Sequence, residues 1–305
     1  MKKVLITGGA GTIGKAFIKR YQNKFKFYNM SRNEGFQAQL KREFPEVKNY
    51  IGSIDVLFDV FRVFERVKPD IVIHAAAMKH IDIIESEPIQ ACNTNVIGSL
   101  NIISASIKYN VPITVAVSTD KACSSESVYG DTKSLMEKCF MEANTDKNRF
   151  ALTRFANVTH SNGSVLPFWL KLKEEGKTLK LTSAEMNRLM FSQSDSAKLI
   201  HKAIDKCKSD GGGFVCSYKM KSVNMFELAR VISDDIEIVG LRPGEKLDED
   251  LISDREVPFT YVHDDMIYIY NQENLDMNTL TEGYSSSSAE KMTEEEMKEL
   301  VWNTK

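Results

Sequence analysis

The sequence lacks the marks of several kinds of protein. No apolar run approaches the roughly 20 residues of a membrane span. The opening, Met1-Lys-Lys-Val-Leu-Ile-Thr-Gly-Gly, reads as a strand running into a turn rather than a secretory leader. A formal net charge of −2 over 305 residues offers no basic surface for nucleic acid or an anionic membrane. The cysteines (Cys92, Cys123, Cys139, Cys207 and Cys216) are odd in number and contain no C-x-x-C pair. Neither a disulfide framework nor a metal site is expected, and free thiols fit a reducing cytoplasm. No internal repeat is present. A chain that is 42% hydrophobic and 27% charged is ordinary for a globular protein, and its length allows one large α/β domain or two lobes sharing a core.

The first half alternates short β-rich runs with amphipathic helical ones. Strands are expected at Val4-Leu5-Ile6, Lys26-Phe27-Tyr28, Ile71-Val72-Ile73, 113–117 and 150–155. Between them, Ile13, Phe17, Ile18 and Tyr21 recur at helical spacing, as do Val56, Val60, Phe64 and Val67 before Pro69. A long helix is expected from about Pro88 to Tyr109, and another through Leu135, Met136, Cys139 and Phe140. Strict alternation predicts an α/β fold: a Rossmann-type, doubly wound parallel sheet with helices on both faces. The second half is less regular. Helical patterns near 165–175, 194–206 and 224–233 mix with strand-like runs at 214–218, 236–239 and 266–270. This predicts a smaller α+β lobe. Residues 1–158 plus about 187–215 would form the dinucleotide-binding lobe, and about 159–186 plus 216–305 the substrate lobe.

Gly9-Ala-Gly11-Thr-Ile-Gly14 is a G-x-G-x-x-G with Gly8 before it. It follows a strand and opens a helix, the context in which such glycines let a pyrophosphate reach the helix N-terminus. At the end of the second strand stands Asn29-Met-Ser31-Arg32-Asn33, with no acid before Glu34. An acid there would bond a ribose 2′-hydroxyl. Ser31 and Arg32 suit a 2′-phosphate, so NADP is the expected cofactor.

Tyr129-Gly-Asp-Thr-Lys133 is a Tyr-x-x-x-Lys, which places both side chains on one helical face. It lies shortly after a strand ending in Ser118-Thr119, on the side of a parallel sheet where ligands bind. Tyrosine, with a pKa near ~10, is too weak a base at neutral pH. Its pKa must fall by about three, worth roughly 4 kcal/mol, through nearby positive charge from Lys133 and an oxidised nicotinamide. Thr119 is placed to bond the same substrate hydroxyl. Asp120 and Lys121 then add an acid and a base. Oxidation or epimerisation at one carbon needs no such pair. Loss of water does, since one group takes a carbon-bound proton and another protonates the departing hydroxyl.

These residues resemble the inverting UDP-N-acetylglucosamine 4,6-dehydratases (4,6-dehydratase/5-epimerases) of the extended short-chain dehydrogenase/reductase superfamily. The likeness runs almost end to end. It includes the stretch from Thr7 to Gly14, Ser31-Arg32-Asn-Glu34, His74-Ala-Ala-Ala-Met-Lys-His80 and Asn93-Thr-Asn-Val-Ile-Gly98. It continues through Ser118-Thr-Asp-Lys-Ala122, Arg154-Phe-Ala-Asn157, Gly163-Ser-Val-Leu-Pro167, Met186-Asn-Arg188, Leu241-Arg-Pro-Gly-Glu-Lys246 and Tyr284-Ser-Ser286.

The resemblance implies a lyase that regenerates its cofactor each turn. Tyr129 takes the C4 hydroxyl proton as hydride leaves C4. Lys121 removes the C5 proton, and Asp120 protonates the leaving C6 hydroxyl. Hydride returns to C6, and C5 is reprotonated on the opposite face to give a 4-keto-6-deoxy sugar. Cofactor contacts are implied for Gly8, Gly11, Thr12, Ile13, Gly14, Ser31, Arg32, Ser53, Ile54, Ala75, Ala76, Ala77, Lys79, Asn95, Tyr129 and Lys133, with Ser53 and Ile54 near the adenine. Lys79, Asn157, Arg188, Arg242 and Glu245 would hold the UDP-sugar. The Pro88–Tyr109 helix would pack against its copy in a homo-oligomer. The chain departs from the pattern at Ser53, where an acid is usual, at Cys123-Ser-Ser-Glu-Ser127, at Ala156, at Asn162 and at Asn187 and Leu189. Two alternatives stand beside this reading. One is a UDP-sugar 4-epimerase or a C5-retaining dehydratase. The other is a non-catalytic NADP-binding scaffold, against which the intact Thr119, Tyr129 and Lys133 argue.

Overall fold

Apolar runs with no polar break can only be buried on both faces, and the chain builds a sheet from them. The computed structural model describes residues 1–241, 245–272 and 280–302. Six parallel strands lead: β1 (Lys2–Thr7), β2 (Phe25–Ser31), β3 (Lys48–Ile51), β4 (Ile71–His74), β5 (Ile113–Thr119) and β6 (Arg149–Phe155). In space they run β3-β2-β1-β4-β5-β6. Val4 of β1 lies between Phe27 of β2 and Ile71 of β4. Val4, Leu5 and Ile6 are fully buried, as are Ile71, Val72 and Ile73. The order reverses at β1, so the crevice beyond the carboxyl ends of β1 and β4 is the topological switch point where ligands of such sheets bind.

Two elements escape the periodicity. Helix Glu34–Glu43 and strand β3 carry few apolar residues. β3 is an edge strand whose Lys48 and Ile51 face solvent, so no apolar run announces it. The strand at Phe214–Tyr218 continues the sheet parallel to β6 after helix Gln193–Asp210. It then pairs antiparallel with Met266–Tyr270, which pairs with Thr260–His263. The sequence reading places 260–270 in the smaller lobe. The structure returns it to the large sheet, where Ile267 and Ile269 are buried against the core.

A second apolar cluster lies outside the sheet. Trp169 of helix Val165–Glu174 is fully buried there with Leu179, Leu228 and Val301. Its indole nitrogen donates to the Lys180 carbonyl at 3.0 Å, which removes the cost of burying that group. Small ladders flank the cluster. Leu179–Leu181 pairs with Ile236–Ile238, and Asn187–Phe191 lies between Ser222–Asn224 and Asn157–Val158. No helix among the described residues is long and apolar enough to cross a membrane. All five cysteines are free thiols.

The large sheet and the later segments are bolted together by Arg154 of β6, which is 1% exposed. Its guanidinium donates to both carboxylate oxygens of Glu137 (3.1 and 2.6 Å), both of Glu256 (3.1 and 2.8 Å) and the Leu251 carbonyl (2.7 Å). Burial pushes the Glu256 carboxyl up, but Arg154 outweighs it and holds the group at about 2, against an ordinary 4.5. A carboxyl depressed in the fold contributes stability that is full above its unfolded pKa and lost as pH falls through the folded one. Glu256→Gln is therefore expected to cost about 3 kcal/mol at pH 7. The deficit should shrink as pH falls from 4.5 towards 2. Urea unfolding of both proteins across that range checks it, and a deficit independent of pH would contradict it.

Candidate active site

The cavity is built where β1, β4, β5 and β6 end. Gly8 follows β1 with φ of +73°, a left-handed conformation that favours glycine. A Cβ there would lie 2.9 Å from Ala76 Cα, so only glycine lets the turn pass the end of β4. Helix Thr12–Tyr21 starts at Gly11, which has no capping side chain. Its first amide N–H groups are thus available to an anion. Gly8, Gly11, Thr12, Ile13, Ser31, Arg32, Ile54, Ala75, Ala76 and Ala77 line one continuous cavity. Gln37 fixes Ser31 by donating to its carbonyl (2.8 Å) and hydroxyl (3.2 Å). Below the floor, buried His74 joins the Thr7 hydroxyl (2.7 Å) and the Ser99 hydroxyl (3.1 Å). Burial, then the charge of Lys133, pulls its pKa to about 3, so this histidine is neutral scaffolding.

The same cavity continues past Thr119, Lys121, Tyr129 and Lys133 to Asn157, Arg188 and Glu245. At ≈1510 Å³ it exceeds the ~300–1,000 Å³ of a single small-ligand pocket and has room for a dinucleotide and a second ligand. Thr119 ends β5, and a single 3₁₀ turn, Asp120–Ala122, leads towards helix Val128–Glu142. The helix begins at Ser127, whose hydroxyl accepts from the Gly130 amide at 3.2 Å. Gly130 is required by close approach, because a Cβ there would overlap the Lys121 carbonyl and the Ser125 side chain. The missing side chain lets the 120–122 turn lie against the start of the helix, beside Tyr129.

Asp120 is 1% exposed. Its Oδ1 accepts from the Thr119 hydroxyl (2.9 Å) and from Lys121 Nζ (3.3 Å). Its Oδ2 is buried with no hydrogen-bond partner among the described residues. Lys121 Nζ also lies 3.2 Å from Glu249. Burial pulls the lysine pKa down, but Asp120 and Glu249 outweigh burial and the opposing Arg188, and the net shift is upward. Tyr129 differs from expectation. Burial pushes its phenol to about 12, only partly opposed by Lys121 and by a hydrogen bond with Thr119. The cation that acts on it is Lys121. Lys133, which lines the same cavity, donates to the Val117 carbonyl at 2.7 Å. Burial lowers Lys133 to about 8, against the upward pull of Glu137.

Four expected residues do not line the cavity. A Cβ on Gly14 would overlap Gly9, so this glycine packs the helix onto the turn. Ser53 turns its hydroxyl to Asp55, and its amide donates to Asp59 at 3.0 Å. Asn95 is buried, with its amide spent on both backbone groups of Met78 (2.9 and 3.1 Å) and on the Thr132 hydroxyl (3.1 Å). It pins the 75–79 loop to the Tyr129 helix. It sits in a π-helical stretch, Cys92–Ile97, that interrupts the single long helix expected from Pro88 to Tyr109. Asp120 is the fourth, lying just behind Thr119 and Lys121.

On the substrate side, Lys79 Nζ donates to the Asn162 carbonyl at 2.7 Å, and the Asn162 amide donates to Thr12 Oγ1 at 3.1 Å. Burial lowers the Lys79 pKa. The guanidinium of Arg188 donates to the carbonyls of Asn187 (2.7 Å), Leu247 (2.9 Å) and Lys246 (2.7 Å), so it shapes the 245–249 segment as well as the wall. Arg242 lies outside the described residues. The sequence reading missed Glu249. It stands in an acidic run, Asp248-Glu-Asp250, that looks like a solvated surface until the fold buries its middle residue.

Comparison with known proteins agrees with this arrangement. A family model described as "Polysaccharide biosynthesis protein" matches residues 4–271. A UDP-N-acetylglucosamine 4,6-dehydratase (inverting) of Campylobacter jejuni is 36% identical over 273 residues, covering 85% of this chain and 80% of that protein. A UDP-glucose 4-epimerase of Rickettsia canadensis is 31% identical, covering 98% and 95%. The X-ray structure of Pen from Bacillus thuringiensis superposes with a TM-score of 0.91 at 31% identity, covering 100% and 98%. This chain belongs to the polysaccharide biosynthesis protein family, among the extended short-chain dehydrogenase/reductase enzymes that include nucleotide-sugar dehydratases and epimerases.

Proposed function

We propose that the protein is an NADP-dependent 4,6-dehydratase of a UDP-sugar, UDP-N-acetylglucosamine by preference, that inverts C5 and yields a 4-keto-6-deoxy sugar nucleotide. The observation that carries this reading is the packing of the Thr119–Lys121 turn against the start of the Tyr129 helix, with Thr119 and Lys121 lining the cavity that also holds the glycine-rich turn and Asp120 bonded to both from behind. An epimerase of the Rickettsia type is the competing reading. It has no use for a buried acid–amine pair whose only work would be a second proton transfer.

NADP, when bound, would supply the two-electron redox chemistry for C4 and C6. Gly8, Gly11, Thr12 and Ala76 would hold its pyrophosphate, Ser31 and Arg32 its 2′-phosphate, and Lys133 its ribose. The remaining steps belong to the chain. Tyr129 takes the C4 hydroxyl proton while Thr119 bonds the same oxygen. With its phenol held at about 12, Tyr129 still needs positive charge beside it, which an oxidised nicotinamide bound in this cavity would supply. Lys121 begins protonated, and its proton passes to Asp120, 3.3 Å away. That one transfer creates both the amine base for the C5 proton and the carboxylic acid for the departing C6 hydroxyl. When C5 yields its proton and C6 accepts one, the pair returns to its starting charges. Lys79, Asn157, Arg188, Arg242 and Glu245 are assigned to the nucleotide diphosphate and sugar.

We place the enzyme in the cytoplasm as a homo-oligomer. The helical stretch from Pro88 to Lys108 leaves Ile89, Ile97, Leu100 and Ile107 exposed, with Leu135 of the neighbouring helix. Such a stripe suits burial against its own copy. Sedimentation should show a dimer or larger at micromolar concentration, and Leu100→Lys should shift it towards monomer. A wild-type monomer at all concentrations would reject the oligomer.

Two further outcomes test the activity. Incubation with UDP-N-acetylglucosamine in heavy water, without added reductant, should give a product lighter by one water with deuterium at C5. Tyr129→Phe should lose activity by about a thousandfold while still binding NADP. Retention of water with a new C4 configuration would favour the epimerase. In titration calorimetry, Arg32→Ala should weaken NADP binding about tenfold or more and leave NAD nearly unchanged. Equal losses for both would remove Arg32 from the 2′-phosphate.

A further inference from the structure

We propose that Glu249 is the positioning residue for Lys121, the second wall of a two-carboxylate cradle that holds the ammonium over the sugar side of the cavity and sets the pH at which C5 chemistry begins. This rests on the dehydratase reading and assigns a residue that neither the motifs nor the relatives' names point to.

The geometry is as follows. Asp120 and Lys121 are neighbours in the chain, so their contact is local. Glu249 comes from a segment more than a hundred residues away and meets the same Nζ at 3.2 Å. Its carboxylate is nearly buried, and such a group is not left there without a charged partner. Its backbone is clamped, since its amide donates to Ser286 Oγ (3.0 Å) and its carbonyl accepts from the Ser286 amide (2.9 Å). Arg188 braces the preceding residues through the Lys246 and Leu247 carbonyls and stands 4.0 Å from Glu249 Oε1. Glu249 therefore does not follow Lys121. The lysine is drawn to a fixed point.

The charged and titratable groups around Lys121 are Asp120 and Glu249, which favour the ammonium, Arg188, which opposes it, and Tyr129, whose phenol it faces. Lys246 is occupied with Glu126 at 3.0 Å and the Ser124 carbonyl at 2.8 Å. Two anions against one guanidinium keep Lys121 charged. It reaches the sugar as an ammonium, and it turns into a base only by handing its proton to Asp120. Glu249 opposes that transfer, so it raises the pH at which Lys121 becomes a base for the C5 proton. Without the carboxylate, the amine is neutral at lower pH and loses its second anchor.

The test is the pH dependence of Lys121 in wild type, Glu249→Gln and Glu249→Asp. Gln keeps the length and an acceptor oxygen but loses the charge, while Asp keeps the charge. Acylation of the Lys121 amine, followed against pH by peptide mass spectrometry, should shift its midpoint acidward by about one pH unit or more in Glu249→Gln and far less in Glu249→Asp. C5 deuterium exchange should shift the same way. At a pH below both labelling midpoints, where Lys121 stays an ammonium in either protein and still faces Tyr129, reduction of NADP by C4 oxidation should stay within about threefold of wild type. An unshifted Lys121 midpoint in Glu249→Gln overturns the proposal, as does parallel loss of C4 oxidation and C5 exchange. If Glu249→Gln fails to fold, the wild-type labelling midpoint decides, and a midpoint at or below that of an ordinary lysine overturns it. A wild-type protein that releases no water defeats the dehydratase reading instead, and the labelling experiment still reports on Glu249.

Discussion

The site depends on one buried guanidinium. Arg154 cannot be desolvated unless its charge and donors are met, because stripping water from an unpaired cation costs several kcal/mol. Its partners lie on three separate pieces of chain: Glu137 on the Tyr129 helix, Glu256 in a turn, and the Leu251 carbonyl on the strand Asp250–Ile252. Satisfying Arg154 therefore fixes the helix that carries Tyr129 and Lys133 relative to the segment that carries Glu249. The contact between Lys121 and Glu249 is a consequence of that placement. The arrangement also spreads electrically. Glu137 faces both Arg154 and Lys133 and raises the lysine, although burial still brings Lys133 to about 8.

Much of this was legible in the residues, and the reason is locality. The glycine turn, the Ser31-Arg32 pair and the run from Thr119 to Lys133 each need only a strand, a turn and a helix to become a site. Period and turn chemistry report such elements directly. The same holds for buried strands such as Val4–Ile6, which read as unbroken apolar runs. Edge strand β3 and helix Glu34–Glu43 did not announce themselves, because an element that buries little carries little periodic signal.

What stayed hidden were partners across the chain. Period says that a side chain faces inward and never says whom it meets. Lys133 was expected beside the Tyr129 phenol, and it bonds the Val117 carbonyl instead. Asn95 was expected at the cofactor, and it serves Met78 and Thr132. Arg188 was assigned to the diphosphate, yet its donors first tie down the 246–247 turn. In each case the residue type was read correctly as polar and inward. Its partner was decided by strand order and by which carbonyls the fold left unpaired.

The electrostatics of the pocket also separate its two kinds of work. Asp120 raises the Tyr129 phenol and Lys121 lowers it, so as an ion pair they act in opposite directions at that oxygen, Lys121 the more strongly. In the proposed dehydration, a proton passing from Lys121 to Asp120 removes both charges together, so their opposed influences on Tyr129 leave as a pair. A site for oxidation at one carbon would do better with a lone cation beside its phenol. Keeping a buried carboxylate next to that cation raises the phenol, and the burden is offset only if the pair has a task of its own. Glu249 sharpens this point. It lies against Lys121 and favours the ammonium, so it biases the proton inventory of the Lys121–Asp120 pair.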